Sequence, residues 1–225
     1  ACEAKPPDPV PDVLPRPSRS TAVDISPDDK TVAMVNSDDD SVSFFDVSVQ
    51  GTESLRAKIG SSGNGAAEPM AVVIHPNGED AYVANRGGSV AAISGIDGAT
   101  PEISAELDFD GEPVGLALSP TGGTLYVTNW VSGAVYVIDT DTFTLTQTVD
   151  VGLNPYAIAV TNDGDVDDTD ERLFVTEFYG RPEGKEALDT GRKGIVYTMP
   201  TVAPATVTEI PLAPLESCFT GDLGG

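Results

Sequence analysis

Pro113-Val-Gly-Leu-Ala-Leu-Ser-Pro120 runs through the turn Pro120-Thr-Gly-Gly123 into Leu125-Tyr-Val-Thr-Asn129, and Val135-Tyr-Val-Ile-Asp139 follows. This stretch decides the fold, because three more copies of it surround it. Ser20–Pro27 with Thr31–Asn36, Pro69–Pro76 with Ala81–Asn85, and Pro155–Asn162 with Leu173–Glu177 align with it. The closing residues 36, 85, 129 and 177 are 49, 44 and 48 positions apart. Each copy reads as four short strands. A small, apolar first strand is followed by a Pro/Gly/Asn turn, in which Pro presets φ and Gly or Asn takes the positive φ. The second strand is the Tyr-Val-Thr-Asn run. The third alternates, as in Val42–Val47, and the fourth is of the Leu145–Val149 kind, with Ile103–Leu107 and Val207–Ile210 as counterparts. No stretch carries a convincing 3.6-residue period, so helix is minor.

Four strands per repeat of forty-odd residues is the arithmetic of an all-β fold, a β-propeller of four-stranded antiparallel blades. Innermost strands crowd an axis, which accounts for Ala22, Ala71, Gly115 and Ala157. The competing fold is a β-sandwich, which does not demand a repeated motif. The blades are expected at about 18–60, 61–111, 112–152 and 153–212, after a Pro-rich tether at 1–17 and before a linker or further blade at 213–225. The third copy, with Pro113 ahead of Tyr126-Val-Thr-Asn129 and Val135–Asp139 behind it, resembles the YVTN-type β-propeller repeat of bacterial and archaeal surface and periplasmic proteins. The match covers most of residues 17–212 and is degenerate in the first copy. That resemblance implies about seven blades, so four visible repeats point to part of a larger propeller, with a four-bladed ring as the alternative. It implies no catalytic residue by motif match.

Composition narrows the function. The chain has 225 residues, 12 basic and 36 acidic, for a net charge of −24. Such a surface repels phosphate backbones, which excludes a nucleic-acid partner, and it disfavours anionic lipid. The sequence contains no run of 18 apolar residues, no CxxCH for covalent haem, no GxxxxGK[ST] and no strand-linked GxGxxG. A single histidine, His75, rules out a His-rich metal site and reads as a turn residue, since it stands where other copies have Ser. Cys2, at the head of a segment with six prolines in residues 1–17, resembles the mature start of a bacterial lipoprotein. The alternatives are a disulfide with Cys218 or two free thiols. Lipidation and disulfide alike place the protein outside the cytoplasm, in the periplasm, at the outer membrane or on the cell surface, with Cys2 as its only link to a membrane.

Two loops stand out. Asn162–Glu171 inserts about six residues into a turn relative to the third copy and crowds Asp163, Asp165, Asp167, Asp168, Asp170 and Glu171 together. Alternating Asp side chains let one loop wrap oxygens around Ca²⁺. The spacing starts like an EF-hand but has Asp168 where Gly is needed and Phe174 at the twelfth position, so it is not one. The plain alternative is a solvated acidic loop. The second loop, Phe178–Lys193, holds Arg181, Lys185, Arg192 and Lys193, with Arg172 just before it: five of twelve basic residues. It is expected on the face where blade junctions meet, beside Trp130. Trp130, Tyr179, Arg181, Lys185, Arg192 and Lys193 are therefore candidate partner-binding residues, against blade packing for Trp130 and internal ion pairs for the loop. The reading that results is a non-catalytic binding or scaffold module in an extracytoplasmic assembly, with redox assemblies implied by the resemblance alone. A propeller enzyme of lactonase or amine-dehydrogenase type and a surface-layer or adhesive protein are the alternatives.

Overall fold

The structure, a computed structural model, describes residue 14 and residues 16–49, 54–60, 67–184 and 191–213. Cys2, Lys185 and Cys218 lie outside the described residues. Each repeat folds as its own antiparallel sheet. Blade 1 is β1 (Val23–Ile25), β2 (Thr31–Asn36), β3 (Ser41–Asp46) and β4 (Ser54–Gly60). Blade 2 is β5 (Pro69–Ile74), β6 (Asp80–Asn85), β7 (Ser89–Ser94) and β8 (Glu102–Asp108). Blade 3 is β9 (Pro113–Leu118), β10 (Thr124–Asn129), β11 (Ala134–Asp139) and β12 (Thr144–Asp150). Blade 4 has five strands: β13 (Pro155–Val160), β14 (Arg172–Glu177), β15 (Arg181–Pro182), β16 (Arg192–Pro200) and β17 (Thr208–Leu212). The extra strand arises because the Phe178–Lys193 insertion returns as a short ladder, Arg181↔Lys193 and Pro182↔Arg192. Helix is limited to one 3₁₀ turn, Ser37–Asp39, among the described residues.

Strands alternate two apolar faces, and successive blades bury them against each other. Ala33, Val42 and Phe44 of blade 1 meet Val72, Ile74, Ala81, Val83 and Ile93 of blade 2. Val73, Tyr82 and Ala92 meet Leu116, Leu118, Leu125 and Ile138. Ala117, Tyr126 and Val137 meet Ile158, Val160, Leu173 and Met199. Each fully buried Leu or Ile contributes about 1.5–3 kcal/mol relative to exposure, so these layers dominate stability.

The innermost strands have an edge with no strand beyond it, and residues 18–24 cover it. Thr21 O accepts from Val72 N–H (3.0 Å) and Ser18 O from Val160 N–H (3.0 Å). Ser18 Oγ accepts from Leu118 N–H (2.8 Å), Ser20 Oγ from Ile158 N–H (3.0 Å), and Asp24 Oδ2 from Ile74 N–H (2.8 Å). Arg19 bridges Ala159. The covering extends into the expected tether: Leu14 N–H donates to Pro120 O (2.8 Å) and Leu14 O accepts from Asn162 Nδ2 (2.7 Å). Space at the axis is scarce. A Cβ on Gly115 would lie 2.4 Å from Tyr156 O and 2.6 Å from Ser20 Oγ and Thr128 Oγ1.

The motif tyrosines Tyr82 and Tyr126 are buried between blades. Burial, and then nearby Asp80, pushes the Tyr82 phenol from 10.0 up to about 12; burial, then Asp168, pushes Tyr126 up as well. The folded state therefore holds these protons more tightly than the unfolded chain, so their contribution is complete below pH 10 and is lost as pH rises toward 12 and beyond. Urea unfolding across this range should show stability falling with pH, and Tyr82→Phe or Tyr126→Phe should flatten the slope.

Candidate functional site

The Asn that closes the third Tyr-Val-Thr-Asn run is a clamp. In blade 3, Asn129 is fully buried; its Oδ1 accepts from Glu112 N–H (3.2 Å) and Ser132 N–H (3.0 Å), and its Nδ2 donates to Asp110 O (3.1 Å). One side chain thus ties its own turn to the incoming blade junction. Gly111 makes room for it: φ is +112°, and a Cβ there would lie 2.4 Å from Asn129 Oδ1.

Blade 4 has Glu177 in this position. A buried carboxylate needs donors and a counter-charge. Tyr197 OH donates to Glu177 Oε2 (2.7 Å), and Arg181 Nε lies 3.5 Å from the same oxygen. Arg181 also donates to Tyr197 OH (3.0 Å) and grips Glu209 with two bonds of 2.7 and 2.9 Å. That grip and the Tyr197 bond hold the Arg181 guanidinium charged. Burial, then the bond to Glu177, pushes the Tyr197 phenol up to about 12. Gly152 leaves the necessary space, since its Cβ would sit 2.1 Å from Tyr197 Oη.

This network fixes the start of the basic loop and with it an aromatic cluster on the junction face. Trp130 meets Phe178 (ring centroids 4.9 Å), Tyr179 (5.6 Å) and Tyr156 (5.7 Å), all at steep interplanar angles. Tyr156 and Tyr179 each lie 5.0 Å from Phe178. Edge-to-face pairs at such distances are favourable. Main-chain bonds set the frame: Trp130 N–H to Glu112 O (2.8 Å) and Phe178 N–H to Asn154 O (3.1 Å). Even so, Phe178 is 53% and Tyr179 60% exposed, and the adjacent Val131 and Leu153 are 62% and 72% exposed.

The structure therefore unites Trp130 and Tyr179, as expected from the sequence, and adds Tyr156 and Phe178, which sequence reading missed. The Phe178-Tyr179 pair directly after a strand was the available signal. The basic residues have other work. Arg181 holds Glu177 and Glu209; Arg192 donates to Tyr179 O (3.4 Å) and Gly180 O (3.3 Å); Lys193 reaches Glu183 (3.4 Å). Arg172 donates to Thr198 Oγ1 (3.0 Å). Arg181, Arg192 and Lys193 prop the loop that displays the rings, whereas Arg172 lies at the opposite end of β14.

The acidic loop lies at the opposite end of blade 4 and divides in two. Asp163, Asp165 and Asp170 are exposed and bring carboxylate oxygens within 4.8 Å of one another. Partial desolvation, then repulsion from Asp163, Asp165 and Asp167, raises the Asp170 carboxyl. Asp163 and Asp165 each also accept a backbone N–H, from Asp165 (3.2 Å) and Asp167 (2.7 Å), and the other three carboxylates are held by further protein donors. Asp167 accepts from Thr169 Oγ1 (2.5 Å) and N–H (2.9 Å), which hold its carboxyl low. Asp168 reaches blade 3, accepting from Thr121 Oγ1 (2.5 Å) and N–H (2.9 Å). Glu171 is buried and accepts from Thr161 Oγ1 and from Asp163 N–H. Three carboxylates converge where the sequence offered six.

No protein-family model matches the chain, and no curated protein matches it. Solved structures do. It is similar to a protein titled hydrazine synthase from Kuenenia stuttgartiensis, with 19% identity and a TM-score of 0.52, covering 84% of this chain and 65% of that one. It is similar to a protein from Lactobacillus plantarum, with 18% identity, a TM-score of 0.58 and coverage of 88% and 57%. It is also similar to a candidate 6-phosphogluconolactonase from Bacteroides uniformis, with 19% identity, a TM-score of 0.60 and coverage of 88% and 56%. At these identities the likeness is one of fold. The chain spans less than two thirds of the length of each of these structures, and its fold is that of a β-propeller.

Proposed function

We propose that this propeller works by binding: the Trp130–Tyr156–Phe178–Tyr179 cluster docks a protein partner, in an assembly outside the cytoplasm to which Cys2 tethers the chain. The observation that carries this is an exposed aromatic patch flanked by exposed Val131, next to Trp130 in the chain, and exposed Leu153, next to the Asn154 that bonds Trp130 and Phe178. Contiguous exposed apolar area on an otherwise charged surface is the usual mark of an interaction site, and large aromatics are the side chains that anchor one. The junction face around it carries exposed Asp108, Asp110 and Asp150, so the partner's rim is cationic. A binding role also suits the axis, where residues 18–24 occupy the inner-strand edges that would otherwise line a channel for substrate. Ca²⁺ belongs to the same proposal, as a ligand of Asp163, Asp165 and Asp170 that stiffens the opposite end of blade 4.

A photo-crosslinker placed at Val131 should capture a basic protein in cells that make this one, and Trp130→Ala with Phe178→Ala should abolish the product. Equal capture from Leu145, which is also exposed but lies on β12, would show that the patch is not the docking site. For Ca²⁺, free ion at 100 times its Kd adds about 2.7 kcal/mol to stability. Melting in millimolar Ca²⁺ should therefore occur several degrees above melting in chelator, and Asp165→Asn with Asp170→Asn should erase the difference. Equal melting temperatures for the unsubstituted protein would remove Ca²⁺ from the proposal.

A further inference from the structure

Between blades 2 and 3, at the end of the sheets away from the aromatic patch, runs a groove of about 290 Å³. Blade 2 lines it with Asp80 and Tyr82 of β6 and Ala105 of β8. Blade 3 lines it with Thr140, Asp141 and Phe143, from the turn between β11 and β12. A space of this size stands at the lower end of small-molecule sites.

Phe143 is the unusual member. Its φ is +48°, and it is the one aromatic residue among the described non-glycine residues with positive φ. Bulky side chains rarely take this left-handed conformation, whereas glycine takes it freely. Backbone strain retained at one position points to a use for the side chain held there. The ring stacks on Tyr82 of the neighbouring blade, with centroids 6.0 Å apart and planes 13° apart. Side-chain bonds fix the turn that carries it. Thr140 Oγ1 donates to Gly122 O (2.7 Å), and Asp139 Oδ1 accepts from Thr142 N–H (2.8 Å) and Oγ1 (2.7 Å).

The groove is also negative. Asn77 Nδ2 donates to Asp80 Oδ2 (2.7 Å) and orients that carboxylate, while Asp141 is exposed on the turn. Both act on the same phenol: after burial, Asp80 and then Asp141 push Tyr82 up, so the two carboxylates face a common part of the groove. No described Lys or Arg lines it. Asp80 is also particular to blade 2, since β2, β10 and β14 open on Thr31, Thr124 and Arg172. Two carboxylates beside an aromatic wall select a cation. A planar guanidinium uses both features, because it stacks on a ring face and donates in a fork to carboxylates.

We infer that this groove binds a small alkylguanidinium, which lies on Phe143 and donates to Asp80 and Asp141. The site is separate from the aromatic docking patch, and it differs in kind from the acidic loop of blade 4, whose converging carboxylates suit a metal ion.

Isothermal titration calorimetry with agmatine, an alkylguanidinium, tests this on the full chain. One saturable site per chain is expected at low salt, weakening as salt screens the carboxylates. Putrescine carries the same charge on two ammonium groups without the planar face, and it should bind about tenfold more weakly. Phe143→Leu keeps apolar bulk but removes the ring, and Asp141→Asn removes an exposed charge. Each should weaken agmatine about tenfold, with circular dichroism confirming that both variants are folded. Phe143→Tyr, which keeps the ring, should bind as the unsubstituted protein does. The absence of saturable heat, equal binding of agmatine and putrescine, or undiminished binding by Phe143→Leu would each overturn the inference. So would agmatine binding that persists in Asp141→Asn and disappears in Asp165→Asn with Asp170→Asn, which would place the cation in the acidic loop.

Discussion

Every blade of this fold has an inner strand whose outer neighbour is its own second strand and whose other edge has none. Buried N–H groups on that edge must find acceptors, because leaving one unmet costs about 1–3 kcal/mol. The chain answers with residues 18–24, which lie across three inner strands and take the N–H groups of Val72, Ile74, Leu118, Ile158 and Val160. Two serine hydroxyls, one carboxylate and two carbonyls do the accepting. Small, polar residues suit this place, where even a Cβ on Gly115 would collide with backbone and hydroxyl oxygens. The blades are therefore held at the axis by polar bonds and between their faces by apolar layers. The two devices are orthogonal, and both are set by strand alternation.

The same economy explains why blade 4 departs from the pattern. In blade 3 the neutral Asn129 clamp needs only backbone partners. A carboxylate in that position cannot donate to a carbonyl, so Glu177 requires a different setting, and Tyr197 and Arg181 supply it. Arg181 stands on β15, a strand that exists only because of the Phe178–Lys193 insertion. The insertion, the acidic substitution and the displayed aromatic rings are thus one structural event. Without Arg181 and Arg192 to tie the hairpin down, Phe178 and Tyr179 would be free to collapse onto the blade. Held as they are, they stay exposed at little entropic expense to any partner that meets them.

The sequence made the architecture readable because the information was local and repeated. Strand order, the turns at Pro76 and Pro120, and the small inner residues all follow from alternation and spacing within one unit. It also placed Trp130 and Tyr179 on one face, since both follow second strands. What it could not show was which charges are spent inside the fold. Arg181 and Glu209 are 28 residues apart and meet only across β16. Asp168 is used by Thr121, 47 residues away in another blade. A count of basic residues in a loop, or of acidic residues in a turn, records charge before pairing. Pairing across a sheet or between blades is decided by register, which a run of residue types does not reveal.

Net charge then takes on a spatial meaning. Apart from Glu171 and Glu177, the surplus of 24 negative charges stays out of the buried layers, where polar groups are mainly hydroxyls and the motif asparagines. It gathers on the rims and in the 163–171 loop, while most basic residues near blade 4 are consumed in holding its insertion. Among the described residues, clustered apolar surface is left at the aromatic patch and on the outward faces of blades 1 and 4, with single exposed residues such as Leu145 and Val166 elsewhere. The patch is built from residues absent in the other repeats, whereas those outward faces are built from residues that every repeat has. Specialisation marks a surface for a different molecule, and repetition marks a surface of the kind that blades bury against one another.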